Sequence, residues 1–166
     1  GLLGGILNVS GTTLPPPFLD GGPFTITGPG GKDVGAFTAT IALAPAITWT
    51  SPPSTINRGS PLTLAWTGGD SGTTVMILGG STDQTSKASG GFLCVAPAGA
   101  TSFTVPVNSL SDLVPTTAAA SGSSGPIGLI GLMPMHLGNT QKFTAPGLDT
   151  GVIFNTNMTA QTVKVQ

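Results

Sequence analysis

Glycine and proline fall so densely along this chain that hardly any window is long enough for a helix. There are 26 Gly and 15 Pro among 166 residues. Glycine disfavours a helix through backbone entropy, and proline through its missing N–H and its ring. Between the breaks the sequence alternates with period two, the spacing of a half-buried strand. Phe24 and Ile26 alternate with Thr25 and Thr27 before a Gly28-Pro29-Gly30-Gly31 turn. Phe37, Ala39, Ile41 and Leu43 alternate with Thr38, Thr40 and Ala42. Leu62, Leu64 and Trp66 alternate with Thr63, Ala65 and Thr67 before Gly68-Gly69-Asp70-Ser71-Gly72. Val75 and Ile77 share one face and Met76 and Leu78 the other, with Gly79-Gly80 ending the run. Phe103 and Val105 flank Thr104, Val152 and Phe154 share a face, and so do Val163 and Val165. Threonine, which fills many of the opposite faces, is a good strand residue.

One stretch reads as helical. In residues 108–114, NSLSDLV, Asn108 or Ser109 is placed to cap one or two turns that Pro115 ends. Residues 116–125, TTAAASGSSG, are small and of low complexity. They read as a loop, because a boundary there leaves only about forty residues downstream, too few for a core of their own. Short strands with turns at roughly ten-residue spacing predict an all-β fold, an immunoglobulin-like β-sandwich of about seven to ten strands with Gly/Thr/Pro-rich loops. Residues 18–166 form that domain, and residues 1–17 are an apolar strand followed by a Pro-rich spacer. The predicted core is Phe37, Ile41, Leu62, Leu64, Trp66, Val75, Ile77, Phe103 and Val105. Trp66 points inward, as an immunoglobulin-like domain or any large core residue would have it. The lone Cys rules out an antibody-type cysteine pair.

Composition bears on function chiefly by what it lacks. Only 7% of the residues are charged, there is no Glu or Tyr, and there is one His and one Cys. Acids, bases and nucleophiles are drawn mainly from these classes, so the chain is not expected to be an enzyme. A net charge of −1 offers no basic face to nucleic acid and little repulsion between copies. No apolar run reaches the roughly 18 residues of a membrane span; the longest, 127–135, contains Pro134. No charged segment precedes residues 2–7, so the start does not read as an intact signal peptide, and a chain beginning at Gly1 reads as a trimmed product. The low charge and abundant Thr, Ser, Gly and Pro point to a secreted, extracellular or cell-surface protein.

The candidate sites are few. His136 lies in Met133-Pro134-Met135-His136, where a Ser-His-Asp set or a soft-metal site can be drawn on paper. No G-x-S-x-G pattern accompanies it, and an ordinary loop or interface histidine is the simpler reading. Cys94, in an apolar strand, reads as a small core residue. The six Asp mostly occupy turns, as in Asp20-Gly21-Gly22, Gly69-Asp70-Ser71-Gly72 and Leu148-Asp149-Thr150-Gly151, and lack the spacing of a calcium loop. No catalytic, metal or cofactor-binding residue is therefore assigned. Trp49, at a strand end beside Pro52-Pro53, is the best candidate for an exposed ligand platform, and otherwise caps one end of the core.

The N-terminal segment is the sharpest positive feature. Leu2, Leu3, Ile6, Leu7 and Val9 form an uncharged apolar run, and Pro15-Pro16-Pro17 then makes a stiff, extended spacer. A strand held off its own body can add to the sheet edge of a neighbour. It can also fold back as the first strand of its own domain.

Several longer stretches carry a resemblance. They are LDGGPFTITGPGGKDVGAFTATI at 19–41, ITWT at 47–50, INRGSPLTLAWTGGD at 56–70, GFLCVAPAGATSFTVP at 91–106 and APGLDTGV at 145–152. Together they resemble the C-terminal β-rich module of uncharacterised secreted proteins of Solibacter-type acidobacteria, from about Leu19 onward. The WTGG element and the GKDVG turn are the most distinctive parts. The resemblance implies an extracellular bacterial β domain and no catalytic residues. The expected role is a structural subunit that self-assembles into a filament, pilus-like fibre or surface layer, with other copies of itself as partners. A surface adhesion or carbohydrate-binding module, with a surface polysaccharide as partner, is the alternative. A secreted hydrolase is the third reading, and an Asp or Ser bonded to His136 in a cleft would favour it.

Overall fold

The computed structural model describes residues 22–43, 45–83, 86–116 and 127–166. The apolar segment with Leu2, Leu3, Ile6, Leu7 and Val9, its proline spacer, and all of the 116–125 stretch except Thr116 lie outside these residues.

A hairpin comes first, β1 (Gly22–Gly28) against β2 (Phe37–Leu43), antiparallel with Phe24 opposite Ile41. Then follow β3 (Ile47–Trp49), β4 (Thr55–Ile56), β5 (Leu62–Gly68), β6 (Thr73–Asp83), β7 (Ala88–Ala96) and β8 (Ser102–Val105). A single short helix, α1 (Val107–Ser111), precedes β9 (Ile127–His136), β10 (Gln141–Phe143), β11 (Gly151–Ile153) and β12 (Thr159–Val165). The strands assemble a five-stranded sheet in the order β4-β12-β9-β6-β7 and a three-stranded sheet in the order β3-β5-β8. Every pairing is antiparallel except β4 with β12. The described chain is thus all-β and sandwich-like.

The period-two pattern fixes which side chains meet. Trp49, Leu64, Trp66 and Val105 of the smaller sheet share one core with Val75, Ile77, Ala96, Ile130, Leu132, Val163 and Val165 of the larger. Leu110 and Leu113, from α1 and the turn after it, are fully or almost fully buried in the same core. Buried Thr116 ties the end of this segment to β12: its N–H donates to the Val165 carbonyl at 2.7 Å, and its Oγ1 accepts the Val165 N–H at 2.8 Å.

Five of the nine expected core residues lie in this cluster, and Leu62 and Phe103 pack half-buried against it. Phe37 and Ile41 do not belong to it. They belong to an appendage in which the β1–β2 hairpin meets β10 and β11. The Phe37 and Phe143 rings stack there at 4.6 Å. Each ring covers the glycine opposite it, Gly28 and Gly151 respectively, where a Cβ would collide. The appendage is joined at the loops as well, by the Gly35 N–H donating to the Pro146 carbonyl at 2.7 Å.

Other expectations need correction. Gly79-Gly80 is no turn: β6 continues through it to Asp83. The glycines there make room, Gly79 for the ring of Phe92 and Gly90 on β7 for the Asp112 carbonyl at the end of α1. Asn108 and Ser109 do not cap α1. Pro106 occupies the N-cap without a side-chain bond, its fixed φ suiting the entry, and the helix stops at Ser111 before Pro115 is reached. Val152 and Phe154 face solvent rather than a core, because β11 turns Ile153 inward.

Candidate functional site

Two places in the described chain gather more than packing requires. The first surrounds His136. Gly68 and Gly69, both at positive φ, let the chain leave β5 and present Asp70. The Asp70 carboxylate then organises its own turn: Oδ1 accepts the Gly72 N–H at 3.0 Å and the Thr73 hydroxyl at 2.9 Å. His136, at the end of β9, lies opposite Thr73 in the sheet, and its Nε2 donates to the same oxygen at 3.0 Å. Gly72 is the residue that fits beside this ring, since a Cβ there would come within 2.6 Å of Nε2. The Asp70 pKa is lowered, first by the Thr73 hydroxyl; desolvation is the next largest effect and opposes it, and the Gly72 amide and His136 add to the lowering.

A carboxylate-oriented histidine is one part of a hydrolytic site, so what the rest of the site provides decides the matter. The other ring nitrogen, Nδ1, is buried and has no hydrogen-bond partner among the described residues. The adjoining cleft, lined by Thr73, His136, Asn139, Asn155 and Asn157, has about 20 Å³ of room, the space of a single water. The pair acts as a clamp between the β5–β6 turn and the end of β9. Strand alternation sends Met133 and Met135 to the sheet face opposite His136, so the three side chains of the Met-Pro-Met-His run do not converge. Among the described residues no group of three His, Cys, Asp or Glu is placed to hold a metal ion.

The second place is the outer face of the five-stranded sheet. With Val75 and Ile77 turned to the core, Met76 and Leu78 of β6 face outward. The register sets Val95, Met76 and Met133 in one row across β7, β6 and β9, and Leu93, Leu78 and Gly131 in the next. Met158 lies over Gly131. Leu93 is 57% exposed and Val95 54%. No charged residue stands on this face of β6, β7 or β9. A sheet apolar on both faces normally has a layer on each side, and a patch of this kind on a soluble domain marks an interaction surface. The patch runs to an open border, because β7 pairs with β6 on one side and no described strand pairs with it on the other. β7 also lacks the devices that protect an edge: from Ala88 to Ala96 it has no Pro and no charge.

The residues singled out from sequence fall as follows. Trp49 is no platform. It is only 9% exposed and packs in the core, opposite Trp66 in the β3–β5 register, because Ile47 and Trp49 are the inward positions of β3. Cys94 is half-buried on the inner face of β7, against the core. Asp70 and Asp149 lie in a turn and a bend. An Asp bonded to His136 beside a cleft is the feature named above as favouring a hydrolase, and Asp70 supplies it; which Asp it is was not legible, because nothing local links the two residues. The outer face was legible: Val75 to Leu78, Phe92 to Val95 and Leu129 to Met133 are apolar at both alternating positions or broken only by Gly, the mark of a strand covered on both sides. No family model, curated protein or solved structure matches this chain.

Proposed function

We propose that this chain is a non-enzymatic, extracellular structural subunit that assembles with copies of itself into a filament, fibre or surface layer. The observation that carries the reading is the apolar outer face that β6, β7 and β9 present without a charge, ending on the edge of β7 that no described strand pairs with. At about 25 cal/mol per Å² of apolar area removed from water, covering such a face yields several kcal/mol for each few hundred Å² buried. Net charge of −1 leaves little long-range repulsion to oppose it. Low charge and abundant Thr, Ser and Gly support an extracellular setting. The Asp70–His136 pair is read as a structural clamp, and the alternative of a carbohydrate-binding module has lost its platform with the burial of Trp49.

The fold reading is immunoglobulin-like. In support, β6, β9 and β12 lie side by side like the C, F and G strands of such domains, and β3, β5 and β8 like A, B and E. β7 then takes the place of the extra edge strand found in variable-type domains. The departures are the added β1–β2 hairpin, the β10–β11 insertion, and a core Trp on β5 rather than on β6.

Sedimentation velocity over a hundredfold concentration range, with electron microscopy of the same samples, tests the function. We expect mass to grow with concentration into elongated or sheet-like particles, and Leu93→Lys/Val95→Lys to abolish that growth while the fold is kept. A wild-type chain that stays monomeric at the highest concentration contradicts the reading.

A further inference from the structure

We infer that the strand that completes the β7 edge is the apolar segment at residues 2–9 of a second copy of this chain. The inference rests on the self-assembly reading and adds a donor and an acceptor to it.

The edge of β7 and the N-terminal segment match on two faces. The side of β7 left open is apolar above and below the sheet: Leu93 and Val95 point outward, while Phe92 and Cys94 point toward the core and are only half-buried. An amphipathic strand added there would set a polar row beside one of these two rows. The segment Leu2-Leu3-Gly4-Gly5-Ile6-Leu7-Asn8-Val9 instead carries apolar side chains on both alternations, with Asn8 the one polar side chain. In extended form Leu3, Leu7 and Val9 share one face, and Leu2 and Ile6 the other. Placed beside β7, the first set extends the Leu93–Val95 row, and the second covers Phe92 and Cys94. Cross-strand apolar pairs of this kind would supply register, while the main chain would supply hydrogen bonds to an edge that no described strand pairs with. The lengths agree as well, eight residues in the segment against nine in β7.

The second copy, rather than the same chain, is favoured by Pro15-Pro16-Pro17. A triple proline favours a stiff, extended chain, which would hold the segment away from the body to which it is joined. The resulting contact joins two different surfaces, so it repeats head to tail and leaves a free donor and a free acceptor at the ends.

The single native cysteine makes the test specific. Cys94 lies on the inner row of β7, which Leu2 and Ile6 would flank. Ile6→Cys and, separately, Leu2→Cys give each chain one thiol on the donor and one on the acceptor. After mild oxidation of assembled protein, non-reducing electrophoresis should show at least one of them as a ladder of covalent oligomers beyond the dimer, collapsed by reductant. The same variants carrying Cys94→Ser, and the wild type, hold one thiol each and should stop at the dimer. A fast-migrating monomer with an internal disulfide would show pairing within one chain and overturn donation between copies. Filaments that form without a ladder at either position would overturn β7 as the acceptor but leave self-assembly standing. Absence of any assembly before oxidation would overturn the self-assembly reading itself, and the inference with it.

Discussion

Leu64 and Trp66 show how far a single side chain is determined by alternation. Both project from β5 into the space between the sheets, Leu64 with no exposure and Trp66 with 2%. Cutting either to Ala should destabilise the domain by about 2–5 kcal/mol, the range for large-to-small changes in a packed core, and chemical denaturation would read this as a lower midpoint. Trp49 obeys the same rule: Ile47 and Trp49 are the two inward positions around Thr48, so its burial was present in the pattern. The neighbouring Pro52-Pro53 made it look like a strand end open to solvent. Asp70 belongs to what no pattern carries, because its partner His136 is brought to it by the register of β6 with β9. Its carboxylate has a lowered folded pKa, so its contribution to stability is present above the ordinary value of 3.8 and fades as pH falls through the lower folded value. Asp70→Asn should therefore lower the melting temperature near neutral pH. The deficit should shrink in acid below that ordinary value, where the wild type loses the same contribution. An equal deficit at every pH would mean that the carboxylate's charge plays no part.

At the scale of elements, the strands were largely readable and their lengths were not. The alternations on β2, β5 and β8, and at the start of β6, gave the buried faces correctly. Gly79-Gly80 looked like a break because glycine disfavours a strand that has only itself to rely on. The tertiary reason for it, the Phe92 ring from β7 lying over Gly79, is not local. This makes neighbouring glycines unequal. A Cβ at Gly90 collides with the Asp112 backbone carbonyl, and one at Gly80 meets nothing nearer than 3.7 Å. Gly90→Ala should cost on the order of 1–3 kcal/mol or more through overpacking against rigid backbone. Gly80→Ala should be near neutral, or slightly stabilising through reduced freedom of the unfolded chain. Paired unfolding curves would compare them, and an equal cost at both positions would show that α1 does not pack on β7 as described.

At the scale of the molecule, the larger sheet buries one face, and on the other β6, β7 and β9 present an apolar surface without a charge. Composition offers low net charge but no location for a contact between copies; the proposed contact face emerges only when the register lines up Leu93, Leu78, Met76 and Val95. The partition of the core was likewise hidden. Phe37 and Ile41 alternate as cleanly as the main-core residues, and only topology sends them to the β1–β2 appendage. The central claim is that residues 2–9 join one copy to the next. Electron microscopy of the full chain beside a chain lacking residues 1–10, at matched concentrations, tests it most directly. Filaments or sheets from the full chain, and dispersed monomers or amorphous aggregates from the shortened one, are the expected result. Ordered assemblies of the same form from both would contradict it.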